Sequence, residues 1–335
     1  MCAFDELILR PRKLEYQLMF PGPTGTNAVE AAITLARRVT GRASIASFTN
    51  SFHGMTLGSL ATSGSFAKRH GAGVALTHVD RFPYDDYFGN DVDTIKLMGR
   101  LLDDPTSGVD PPAAFLLEVV QGEGGVFAAS DVWLQQIADL ARRHGSLLVI
   151  DDVQAGCGRT GTFFSFERAG LNPDIICLSK ALSGYGLPLS MVLIKPKWDI
   201  WNPGDYSGTF RGQNYAFVTG KAALNYWHDQ DFLDVLSRNV GTLEEWLQVL
   251  VKYRLPNKLS LRGRGLIRGI ATESARVAAN ICSAAYQSGI LIETSGARSE
   301  VVKLLPPLNI EPALLEETLN TLGKVFEEVA ANPPK

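Results

Sequence analysis

As far as about Gly204, short apolar runs rich in Val, Ile and Leu alternate with longer segments of helical period. The runs at 43–48, 74–79, 113–119, 146–150, 174–178 and 190–194 predict strands. Most are apolar at alternate positions of both sets, the pattern of strands covered on both sides. Segments 27–40, 92–102 and 131–144 predict helices between them. In the first, Ala28, Ala32, Leu35, Ala36 and Val39 share one face. Asn27 with Glu30 three residues later gives a capping-box-like start, and Gly41 a stop. This alternation predicts an α/β fold, with a mainly parallel central sheet and helices on both faces. Beyond Gly204 the pattern changes. Helices are predicted at 216–228, 232–251, 275–288 and 312–331, and short strands at 263–270, 291–293 and 301–304. These predict a smaller C-terminal α+β domain over 232–335, after a large domain over 1–231, with 332–335 as a frayed tail.

Composition narrows the function classes. The chain has 32 Lys+Arg against 35 Asp+Glu, a formal net charge of −3. Such a balance argues against nucleic-acid binding by bulk charge and against a polybasic membrane surface. With 45% apolar and 20% charged residues, the chain reads as globular rather than disordered. Cys2, Cys157, Cys177 and Cys282 form no C-x-x-C pair, so free thiols and no metal site are expected. No stretch approaches the ~18 apolar residues of a membrane span. The first residues carry acids and no apolar run of the secretory type. A soluble, cytoplasmic protein with no nucleic-acid or membrane partner is expected.

Chemistry is sought in the glycine-rich turns after strands, because ligands of open α/β sheets bind beyond the carboxyl ends of their strands. Pro21-Gly-Pro-Thr-Gly-Thr-Asn-Ala28 runs into a helix start, where backbone N–H groups and the hydroxyls of Thr24 and Thr26 suit a phosphate. A plain capping turn is the competing reading. No lysine completes an NTPase P-loop pattern. Gly156-Cys-Gly158-Arg-Thr-Gly161 formally matches G-x-G-x-x-G and suggests a dinucleotide-binding oxidoreductase. Its context is poor, since five residues separate it from the preceding strand and an aromatic segment, not a long helix, follows.

Lys180 follows the apolar run at 175–178 and precedes the flexible Ser183-Gly-Tyr-Gly186. A lysine held there is a candidate Schiff-base amine, although most lysines are surface charges. Pyridoxal phosphate needs such a lysine, an Asp for its pyridinium nitrogen, a phosphate cradle and an aromatic side chain against its ring. Lys180, Asp151, the Gly25-Thr26 turn and Phe52 supply that set on successive turns.

The segments GTNAVEAA (25–32), FHGMT (52–56), EVVQGEGG (118–125), DDVQAGCGRTG (151–161), LSKALSGYGLP (178–188) and GTFRGQN (208–214) resemble the class III aminotransferases, pyridoxal-phosphate enzymes of fold type I. The resemblance continues through RGRGLIRG (262–269) and covers nearly the whole chain. Within the family the chain is most similar to the diaminobutyrate–2-oxoglutarate type of ectoine pathways, through FPGPTGTNAVEAA, QAGCGRTGTFFSFE, SGYGLP and VVKLLPPL. The resemblance implies that Lys180 holds the cofactor covalently and that Asp151 pairs with its ring nitrogen. It also implies that Gln154 lies near the ring oxygen, that Gly25 and Thr26 hold the phosphate, and that Phe52 stacks on the ring. Thr209 would reach the phosphate of a neighbouring subunit, which implies a homodimer with shared active sites. Glu118 and Glu123 match acidic positions on the substrate side. His53 is open between a site role and turn packing.

Two departures stand out. Many class III enzymes place an Arg before the proline corresponding to Pro306, where this chain has Leu305, with Lys303 two positions earlier. The substrate carboxylate is therefore expected to be bound differently. Family members also carry several tens of residues before the phosphate turn, which here falls at Gly25. The resemblance implies transfer of an amino group from L-glutamate to L-aspartate 4-semialdehyde, with a small-molecule amino donor and aldehyde acceptor as partners. The alternatives are a class III enzyme with another ω-amino substrate, or a cofactor-binding protein impaired by the short front.

Overall fold

The computed structural model describes residues 1–331 except Asn90, Tyr185 and Asn257. The expected tail at 332–335 and Tyr185 of the glycine turn lie outside the described residues. Strands in chain order are β1 (Gln17–Met19), β2 (Ile45–Phe48), β3 (Val79–Phe82), β4 (Ala114–Leu117), β5 (Val120–Gln121), β6 (Phe127–Ala128), β7 (Leu147–Asp151), β8 (Ile175–Leu178), β9 (Met191–Ile194), β10 (Ser260–Arg264), β11 (Ile267–Ala271), β12 (Glu293–Ser295) and β13 (Val301–Leu304). The helices are α1 (Cys2–Phe4), α2 (Gly25–Thr40), α3 (Leu57–Thr62), α4 (Phe66–His70), α5 (Thr94–Asp103), α6 (Asp131–Arg143), α7 (Asn214–Asn225), α8 (Gln230–Val249), α9 (Ala275–Gln287) and α10 (Pro312–Ala331).

The chain forms two compact units. The first comprises Met1–Val119, Ala129–Cys157 and Phe164–His228. Its seven-stranded sheet runs β1-β9-β8-β7-β4-β2-β3. Strands β3, β2, β4, β7 and β8 are mutually parallel, while β9 pairs antiparallel with both β8 and β1. Strands β2, β4, β7, β8 and β9 are buried along their whole length, as their unbroken apolar runs require. Helix α2 packs on β4, β7, β8 and β9. The small residues Ala28, Ala31, Ala32 and Ala36 of its buried face let it approach the sheet closely. It ends at Gly41, whose left-handed backbone (φ +68°) returns an N–H to Arg37 O at 2.9 Å.

Two expectations need correction here. The predicted strand at 74–79 is a loop for most of its length, and the strand itself is β3, Val79–Phe82. β3 is the edge of the sheet and carries Asp80 and Arg81, so a criterion built on double-sided burial overlooks it. The cap of α2 is Thr24 rather than Asn27. Asn27 Oδ1 accepts from Thr24 N at 3.3 Å and from Thr24 Oγ1 at 2.9 Å. Glu30 instead accepts from Thr56 Oγ1 at 2.6 Å and Ser59 N at 3.0 Å, tying α2 to the start of α3.

The second unit comprises Val120–Ala128, Gly158–Phe163 and the chain from Asp229 onward. Its four-stranded sheet, β10-β11-β13-β12, is antiparallel throughout. The single strand expected at 263–270 is in fact the hairpin β10–β11, in which Arg264 pairs with Ile267. Gly265 makes the turn at φ +59°, and a Cβ there would lie 2.6 Å from Arg159 O. The predicted strand at 291–293 is displaced to β12, Glu293–Ser295. No described helix is long and apolar enough to cross a membrane.

Candidate active site

Four adjacent parallel strands, β8, β7, β4 and β2, lead at their carboxyl ends to the candidate site residues of the first unit. Lys180 follows β8 and Ser179, and opens the 3₁₀ turn Lys180–Ser183. Its backbone is left-handed at φ +47°, an uncommon and costly conformation for a residue with a side chain. Ser179 Oγ donates to Leu189 O at 2.7 Å and fixes the approach to that turn. The turn packs on α7.

Asp151 ends β7 and is 5% exposed. Its Oδ2 accepts from His53 Nδ1 at 2.8 Å and its Oδ1 from Val153 N at 3.2 Å. His53 is itself buried, and its Nε2 has no hydrogen-bond partner. The site role left open for His53 therefore rests on a direct bond to Asp151. Phe52, one residue earlier, donates its N–H to Glu118 Oε1 at 2.8 Å, and Lys68 Nζ stands 3.9 Å from the centre of its ring. Glu118 is buried just past β4, where its own carbonyl accepts from Tyr84 Oη at 2.7 Å.

The start of α2 meets the same region through Gly25. A Cβ on Gly25 would lie 2.7 Å from Val153 Cγ1, on the turn that leaves Asp151. The first turn of a helix leaves its leading N–H groups without intrahelical acceptors, so Gly25 and Thr26 present an anion-binding backbone. Thr26 Oγ1 lies 2.6 Å from Thr56 Oγ1. Gly54 leaves room for Thr26, since a Cβ at Gly54 would collide with the Thr26 hydroxyl.

The remaining candidates are placed differently. Gln154 is part-buried on the turn after Asp151. Thr209 lies on an exposed turn beside Phe210, which is 92% exposed. Glu123 belongs to the second unit, where Lys303 Nζ bonds Glu123 Oε1 and Glu293 Oε1, each at 2.9 Å. Lys303 is 1% exposed. The segment Gly156–Gly161 forms turns with no helix behind it, which removes the dinucleotide fingerprint.

Asp152 was given no role by motif reading. It is 1% exposed, and its Oδ2 accepts from Ser165 N at 3.0 Å. Burial raises its pKa from 3.8 to about 7; the bonds from Ser165 oppose this, and the charges of Asp151 and Glu167 add to it. Two acids in sequence give no such signal. The full burial of the second one against the Ser165 backbone separates their fates.

The sequence matches the family described as aminotransferase class-III over residues 6–326. The chain is a class III aminotransferase. Diaminobutyrate–2-oxoglutarate transaminases are among its relatives: that of Halalkalibacterium halodurans is 49% identical over 97% of this chain and 78% of its own length. That of Sporosarcina pasteurii is 52% identical over 98% and 77%. Among solved structures, the ornithine aminotransferase of Toxoplasma gondii superposes with a TM-score of 0.86 at 25% identity, covering 98% of this chain and 77% of its own. The taurine:2-oxoglutarate aminotransferase of Bifidobacterium kashiwanohense, solved with PLP and glutamate, shares the fold at a TM-score of 0.85 and 23% identity, covering 99% and 80%.

Class III aminotransferases are pyridoxal-phosphate enzymes, and the residues of this aminotransferase fit that cofactor. The amine follows one strand and the carboxylate ends its neighbour. Asp151 is an acceptor held by two donors, as a partner for a ring N–H must be. The helix start that suits a phosphate lacks a Cβ at the point of closest approach to Val153.

Proposed function

We propose that this aminotransferase moves an amino group from L-glutamate to L-aspartate 4-semialdehyde, giving L-2,4-diaminobutyrate and 2-oxoglutarate. The observation that carries the chemistry is the buried His53–Asp151 pair ending β7, beside the strand that leads to Lys180. The name shared by the relatives supports the choice of substrates. Bound pyridoxal phosphate supplies an electron sink that lets the α-proton of an amino acid leave. Gly25 and Thr26 hold its phosphate, Phe52 covers its ring, Gln154 lies near its ring oxygen, and Asp151 keeps its ring nitrogen protonated. His53 donates to Asp151 and so fixes the carboxylate that does this. Lys180 Nζ would anchor the cofactor and, once freed by the substrate amine, would take the proton from substrate Cα as general base and deliver it to the cofactor's carbon as general acid. Glu118 and Glu123 serve the substrate side. In a homodimer Thr209 reaches the partner's phosphate.

The test is the visible spectrum of the purified protein with pyridoxal phosphate, before and after L-glutamate. A band near the yellow region that glutamate shifts to shorter wavelength, with 2-oxoglutarate released, is expected. Addition of the semialdehyde should then restore the band and yield diaminobutyrate. A band that glutamate leaves unchanged would refute the donor, and full turnover by Lys180→Ala would refute the mechanism. Light scattering tests the dimer, and Thr209→Ala should weaken cofactor retention only if subunits share sites.

A further inference from the structure

Any dicarboxylic amino donor brings a second carboxylate that a protein must recognise with a cation. Some of the cations are already engaged with carboxylates. Lys303 holds two carboxylates already. In the first unit, Arg12, Arg38, Arg168 and Lys195 are each paired with a carboxylate. Lys68 differs. It is half-buried, no described carboxylate lies within 4.0 Å of it, and its ammonium rests 3.9 Å from the centre of the Phe52 ring. Its position is built rather than incidental. Ser65 Oγ accepts from Lys68 N at 3.4 Å at the start of α4, and Phe52 is pinned by its bond to Glu118. The next residue, His53, is bonded to Asp151.

We propose that Lys68 is the cation that binds the distal carboxylate of a dicarboxylic amino donor. This rests on the transaminase reading above and names the donor-recognising residue of the same site. An aromatic face holds an ammonium while leaving its N–H groups open to an acceptor, which a salt bridge would not. A half-buried charge pair is screened less than an exposed one, so the contact discriminates between donors with and without a second carboxylate.

The test uses the cofactor-loaded protein and two probes that carry no amino group: glutarate, with two carboxylates, and butyrate, with one. Lys68→Met keeps the apolar stem over Phe52 and removes the charge, and Lys68→Arg restores the charge. Calorimetric titration should show glutarate binding weakened about 10- to 100-fold in Lys68→Met and largely recovered in Lys68→Arg. Butyrate binding and the visible band of the bound cofactor should be the same in all three proteins. Equal weakening for both probes would overturn the proposal, because Lys68 would then act through Phe52 alone. Unchanged glutarate binding in Lys68→Met, or no glutarate binding by the parent, would overturn it as well. The titration gives its answer even if glutamate fails to convert the cofactor, so failure of the donor reading and failure of this proposal are separable.

Discussion

Replacing Asp152 with Asn should stabilise the protein increasingly as pH rises. In the folded chain this carboxyl titrates at about 7, against 3.8 for an ordinary aspartate, chiefly because burial penalises its charge. Between these values the folded protein holds a proton that the unfolded chain has released. Stability therefore falls as pH rises through this window and levels off above about pH 8. The full difference is roughly 4 kcal/mol at ~1.4 kcal/mol per pH unit. About 2–3 kcal/mol of it falls between pH 5 and pH 8. Asn has nearly the same shape, cannot ionise, and keeps an oxygen to accept from Ser165 N. Urea unfolding of parent and Asp152→Asn at pH 5, 6, 7 and 8 isolates the effect, because every other titrating group is shared. The gap in unfolding free energy should widen by roughly 2–3 kcal/mol in favour of Asn across that series. A gap that does not change with pH would refute the reasoning, and a gap that widens in favour of Asp would reverse its sign.

Gly25→Ala should weaken cofactor affinity by at least about 10-fold with unchanged circular dichroism, since its Cβ would press on Val153 at the phosphate cradle; equilibrium dialysis reads this. His53→Phe should lower unfolding free energy by about 3 kcal/mol, because it leaves Asp151 buried with a charge and no side-chain donor. His53→Gln, which keeps a donor, should recover part of that loss. Lys303→Met should cost roughly 2–3 kcal/mol by stripping Glu123 of a buried partner. The Lys303 pKa is raised: burial lowers it, but the hydrogen bonds and charges of Glu293 and Glu123 outweigh that. The pair's contribution is thus complete below the ordinary lysine value of 10.5 and is lost only as pH rises through the higher folded value, so the cost of Lys303→Met should be flat from pH 6 to pH 9.

The elements legible in the sequence are those whose burial is uniform. β4, β7 and β8 bury every residue, so unbroken apolar runs find them. β3 buries little more than Phe82, and β1 is a three-residue edge strand, so neither carries that signal. The hairpin at Gly265 was hidden because two short strands with apolar residues read as one run when the turn contains only Gly and Leu. In the site, Lys180, Asp151 and Gly25 stand in motifs whose residue types chemistry dictates. The Asp151–His53 bond spans residues far apart in sequence and depends on β2 and β7 lying one strand apart in the sheet. No periodicity reports such an arrangement. Lys68 is hidden for the same reason, because its distinguishing feature is the lack of an acid beside it in space.

The two aspartates at the end of β7 show how backbone geometry divides one chemistry into two. Successive side chains of an extended chain point to opposite sides, so Asp151 and Asp152 cannot share an environment. Asp151 meets two donors, His53 Nδ1 and Val153 N, one at each oxygen. Asp152 is fully buried, and its Oδ2 accepts from the backbone of Ser165. For Asp152, full burial outweighs the bonds it takes from Ser165 and drives the carboxyl toward its neutral form. A second full charge beside Asp151 would also compete with it for any cation placed there, including a protonated ring nitrogen. A value of about 7 for Asp152 weakens its charge near neutral pH, so the end of β7 is less negative there than two ordinary aspartates would make it. Asp152→Asn should accordingly leave cofactor binding near that of the parent at pH 6. At pH 8 the variant should bind more tightly or equally, and a loss of affinity there would show that the second charge was needed.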